Sequence, residues 1–154
     1  MWGFYAALEA PLRSGLFKMA LSDYETRRKL PLLTEDLIAL GSSAIAVTSL
    51  PRCEALPDCE DSAAALGCLY VMEGATLGGR TLLPLVEKQL GCGATRGAAF
   101  LASYGDQIGE MWRRFCISLD SGCEMAGGTD RAAAAAVSTF DSLEQWLCGS
   151  SIAT

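Results

Sequence analysis

Apolar positions recur every three or four residues along most of the chain, the spacing of helices that bury one stripe. Trp2, Tyr5, Leu8, Leu12 and Leu16 keep that spacing, predicting an amphipathic helix from Met1 to about Phe17. The polar residues 24–29 follow as a short helix or loop. Pro31 opens a second pattern through Leu33, Leu37, Ile38 and Leu40, and Gly41 closes it. Residues 42–57, with Pro51, Pro57 and no sustained period, read as a connection. The longest pattern, LGCLYVMEGATLGGRTLLPLVEKQL, runs from Leu66 to Leu90. Asp58 or Asp61 can cap it, and Gly91-Cys92-Gly93 ends it. Phe100, Leu101 and Tyr104 start a further element. Ile108, Met111, Trp112, Phe115 and Leu119 form a strong stripe between Gly105 and Gly122, and residues 121–128 read as a turn. Thr129 or Asp130 caps a last helix over 131–147, with Val137, Phe140, Leu143 and Leu147 on one face; a frayed tail follows. No segment alternates with period two, so the fold class is all-α, a single domain over 1–154 with five or six helices.

Within the longest pattern, Gly74, Gly78 and Gly79 interrupt an otherwise apolar helix. Each glycine in a helix interior costs roughly 0.5–1 kcal/mol relative to alanine. Three in six positions call for a reason. Gly74 and Gly78 are four apart and share a face, giving a groove without side chains flanked by Leu77, Met72 and Cys68. Tight packing against another helix or close approach of a flat ligand explains such a groove, and spacing alone favours packing. Pro84 fits the first turn of a helix that restarts near Gly79.

Composition narrows the chemistry. At 51% hydrophobic and 19% charged residues, the chain is globular and long enough to bury a sizeable core. A net charge of −6 disfavours nucleic acid and anionic membranes as partners. No apolar run is long enough to span a bilayer, and the start lacks the basic region of a secretory signal. Seven cysteines without a CxxC pair read as reduced cytoplasmic thiols, with no metal cluster. The chain has no histidine, which removes the commonest general base, metal ligand and haem ligand.

The combination of WGFYAALEAPL, LGCLYVMEGATLGGRTL and GDQIGEMWRRF resembles the bacterial haem oxygenases, particularly the type associated with bacteriophytochromes. The similarity extends from Trp2 to Leu147. Its most specific part is EGATLGG followed about thirty residues later by YGDQIGEMWRRF. The resemblance implies a haem oxygenase-like helical bundle in which haem lies between a proximal helix, carrying an axial histidine, and a kinked distal helix. Gly74, Gly78 and Gly79 match the distal glycines, with Leu77 among them as a further cofactor contact. Arg113 matches a basic residue that pairs with a haem propionate, a task suited to the guanidinium fork; a solvated helix face beside Glu110 is the competing reading. The implied reaction cleaves haem as substrate to biliverdin, carbon monoxide and iron, with electrons from a reductase or ferredoxin.

Two departures accompany the resemblance. The family's axial histidine lies on a helix upstream of WGFY, so a first layer of roughly 30–50 residues is expected to be missing. Ala75 stands where some members carry an aspartate that organises water; Glu73 and Thr76 are the nearest polar residues, with Glu73 able to point either way. Cys68, Met72, Met111 and Tyr104 are the remaining side chains capable of ligating iron. The resemblance therefore implies weak or absent haem binding and no normal turnover in this chain. The alternative is a degenerate paralogue that binds a tetrapyrrole without catalysis, or that oligomerises. Loss of a first layer is expected to expose Trp2, Phe4 and Tyr5, to be covered by a homodimer partner or a partner helix.

Overall fold

The computed structural model describes residues 1–12, 21–59 and 61–150. They form eight α-helices: α1 (Trp2–Leu12), α2 (Tyr24–Arg27), α3 (Leu30–Ala39), α4 (Ala44–Thr48), α5 (Ser62–Leu90), α6 (Ala99–Ala102), α7 (Ile108–Ala126) and α8 (Thr129–Ser150). No strand occurs among the described residues beyond isolated bridges at Gly93. None of these helices is long and apolar enough to cross a membrane.

The element boundaries follow local chemistry. Asp61 caps α5 by accepting hydrogen bonds from the Ala63 and Ala64 amides, and Gly91 ends it at φ +65. Proline near the start of α3 and Gly41 just past its end, at φ +103, mark that helix as the pattern predicts. Asp36 reaches out of α3 to cap a different helix: its carboxylate accepts from the Ala99 and Phe100 amides, tying α3 to α6.

Four expectations are corrected. α5 neither breaks at its glycines nor restarts at Gly79; it is one helix of 29 residues with Pro84 inside it. The long packed flanks on either side outweigh the local cost of the glycines. α1 is not amphipathic: Trp2, Phe4, Tyr5, Ala6, Leu8 and Glu9 are all buried, so the aromatic start is core rather than an exposed patch. Its expected continuation to Phe17 lies outside the described residues. Residues 121–128 are not a turn, because α7 continues to Ala126 and stops only at Gly127, φ +54. The 42–57 connection contains α4, capped by the Ser43 hydroxyl on the Ala46 amide.

α5 is the axis of the molecule, packed against α6, α7 and α8. Its N-terminal half is almost wholly buried from Ala63 to Glu73, Tyr70 excepted. Gly67, which the pattern did not single out, lies under the Ala132 carbonyl of α8, where a Cβ would overlap the backbone. That contact lets α5 and α8 approach closely.

Candidate functional site

The three glycines of α5, Gly74, Gly78 and Gly79, have different surroundings. Gly79 is buried against the Leu101 carbonyl of α6, and any Cβ there would collide with it. Its absent side chain serves packing. Gly78 faces open space, and Gly74 meets only the Trp112 ring at 3.8 Å. Gly74 and Gly78, the pair that spacing puts on one face, are the two at which an added Cβ would meet no backbone. Tyr70, Leu77 and Ala75 border that face and are exposed. Tyr70 packs against Trp112 with ring centroids 5.5 Å apart and planes tilted by 54°, so an aromatic pair walls one side of the groove.

Beyond Tyr70 the groove meets a cleft of about 550 Å³ between α5, α7 and α8. Ala132, Ala133, Ala136, Val137 and Phe140 of α8 give it an apolar wall, and Asp120 and Glu124 stand among its lining on α7. Its lining contains no basic residue, so it repels a carboxylate at that end. Arg113 is well exposed and bound bidentately to Glu110 at 2.8 and 2.9 Å, the solvated arrangement. Both groups lie in water, so a competing carboxylate displaces that pair at little cost.

The buried side of the same helical turn carries charge. Glu73, 2% exposed, accepts hydrogen bonds from Arg27 at 2.6 Å and from the Tyr104 hydroxyl at 2.6 Å. Lys29 Nζ lies 3.5 Å from the same carboxylate, donates to the Arg27 carbonyl at 2.8 Å, and sits 3.7 Å from the Tyr104 ring centroid. Arg27 is held in turn by Asp23 at 2.8 and 2.9 Å and donates to the Met111 carbonyl of α7. Glu9, also buried, accepts from the Lys29 and Leu30 amides and from Arg28. Burial pulls the Lys29 ammonium down to about 8 despite the attraction of Glu73. Burial, and then the Glu73 charge, push the Tyr104 phenol well above its ordinary value.

This geometry decides several assignments. Glu73 points into the core cluster, not into the groove. Thr76 is buried and donates to the Glu73 carbonyl at 2.6 Å. Cys68 and Met72 belong to the hydrophobic core, Met111 is buried, and the Tyr104 hydroxyl is taken up by Glu73, so none of the four presents a free ligand to the glycine face. Sequence reasoning missed Arg27 and Lys29, which lie 46 and 44 residues from Glu73. The sequence reads residues 24–29 only as a polar short helix or loop, and the fold turns two of their charges inward.

The chain matches the family model described as Heme oxygenase over residues 1–148. A heme oxygenase of Xanthomonas campestris pv. campestris (strain 8004) is 31% identical over 138 residues, which is 88% of this chain and 76% of that protein. No solved structure matches the chain significantly.

Proposed function

The chain belongs to the haem oxygenase family, and from that premise we propose that the Gly74–Gly78 face of α5 receives haem as substrate. The bare backbone at Gly78 carries this reading, because a macrocycle can lie there without displacing any side chain. Tyr70 and Trp112 bound the ring's edge. Arg113 exchanges Glu110 for a propionate, which turns the propionate edge away from Asp120 and Glu124. When bound, haem supplies the iron that activates dioxygen and the ring that is opened, giving biliverdin, carbon monoxide and iron. A reductase or ferredoxin supplies the electrons, and the chain works in the cytoplasm with its cysteines reduced.

Open space at Gly78 supports the approach of a flat ligand, but these 154 residues contain no histidine to ligate iron. Any imidazole ligand comes from outside them. On its own the chain therefore holds haem weakly and does not turn it over. The non-catalytic reading rests on the same observation, reinforced by Ala75 and by the burial or engagement of every other candidate ligand.

A haem titration followed by absorbance tests this. The native chain is expected to bind haem without a histidine-type Soret band, Gly78→Leu to abolish binding, and Arg113→Ala to weaken it. Binding that is unchanged in Gly78→Leu overturns the groove assignment. Adding reductant and oxygen then separates the two readings: biliverdin absorbance from this chain alone contradicts the non-catalytic one.

A further inference from the structure

The groove uses one side of α5 at residues 74–78, and the haem reading leaves the charged cluster on the other side unexplained. Stability does not account for it. A buried ion cluster gains little over apolar side chains of the same volume, since desolvation offsets most of the attraction. Nor does it hold one helix to one neighbour: the Glu73 carboxylate gathers Arg27 of α2, Lys29 at the start of α3 and Tyr104 before α7. Tyr104 is delivered by Ser103, a non-glycine residue held at φ +45, which is the kind of backbone that persists only where its surroundings impose it.

Glu73 immediately precedes Gly74, so about 100° of helix rotation separates the clamped carboxylate from the first bare position. The three glycines make this the stretch where α5 bends or rotates most easily. A clamp next to the weakest stretch fixes which way that stretch faces. We propose that Glu73, gripped by Arg27, Lys29 and Tyr104, is the positioning residue of the groove. It sets the rotation of α5 so that Gly74 and Gly78 face outward and Trp112 rests against Gly74. Asp23, which also accepts from Arg114, braces Arg27 from outside, and Glu9, paired with Arg28, and Tyr5 lie beside the cluster. The role in haem binding rests on the reading above; the role in groove geometry does not.

The experiment uses the chain labelled with 5-fluorotryptophan, the Trp112 fluorine signal being identified by substitution. Glu73→Gln keeps the shape and removes the charge. Thr139→Val, at a fully buried position of α8 where it removes the hydrogen bond to the Ala135 carbonyl, lies outside the cluster and controls for general loss of stability. The expected result is that Glu73→Gln shifts the Trp112 resonance and weakens haem binding about tenfold, while Thr139→Val leaves both unchanged at a comparable urea midpoint. Tyr104→Phe, which removes one hydrogen bond, should move the same resonance in the same direction, and it carries the test if Glu73→Gln does not fold. An unmoved Trp112 resonance in both Glu73→Gln and Tyr104→Phe overturns the proposal, as does an equal shift in Thr139→Val. Should the native chain take up no haem, the haem reading fails while the fluorine signal still decides the positioning role.

Discussion

At the scale of single residues, the environment of each side chain separates positions that look alike in the sequence. Gly78 and Gly79 are neighbours of identical chemistry, yet one faces open space and the other a carbonyl. Gly78→Ala should raise stability by about 0.5–1 kcal/mol through helix propensity. Gly79→Ala should lower it by about 1–3 kcal/mol through overpacking; urea unfolding of the two variants checks both signs. Lys29 gives a pH signature. Its folded value, about 8, lies below its ordinary 10.5, so between those pH values the unfolded chain binds more protons. Stability contributed by this group therefore rises as pH increases from about 8 towards 10.5, and is flat below that window. Lys29→Met should remove the rise, as seen in the difference between the two chains' urea midpoints at pH 7, 8, 9 and 10.

At the scale of elements, α5 shows how caps and packing override local propensity. Its sequence reads as one long helix interrupted by glycines, with Pro84 suited to a restart, and its buried first half and its cap hold it without a break. The Ala64 amide, the largest influence, holds the Asp61 carboxyl below the usual carboxylate range. Its capping contribution is thus present above the ordinary carboxylate pKa and is lost as pH falls through the lowered one. Asp61→Ala should cost about 1 kcal/mol at neutral pH. Asp61→Asn should cost less and abolish that acid dependence, which thermal unfolding across pH 3–7 measures. α1 is the opposite case: its spacing matches an amphipathic helix, but the intervening Phe4 and Ala6 are apolar too, and the fold surrounds it.

At the scale of the molecule, α5 and α8 leave Tyr70, Val137 and Phe140 exposed around one apolar cleft, with Leu77 exposed further along α5. That surface, unlike the buried aromatic start of the chain, presents apolar side chains to solvent. It should bind anilinonaphthalene sulfonate, and haem should displace the part of the dye that lies over Gly78; fluorescence titration with and without haem reads this directly.

Local spacing and composition determined that the chain is helical, where most helices stop, that a bare ridge runs along the central helix and that no imidazole is available. Those properties depend on neighbours within a turn or two. The direction of the ridge, the loss of Gly79 to packing and the charged clamp on Glu73 were decided by tertiary structure. Their partners lie 22 to 46 residues away in the chain, at Leu101, Tyr104 and Arg27, and no periodicity records which distant side chain closes on which.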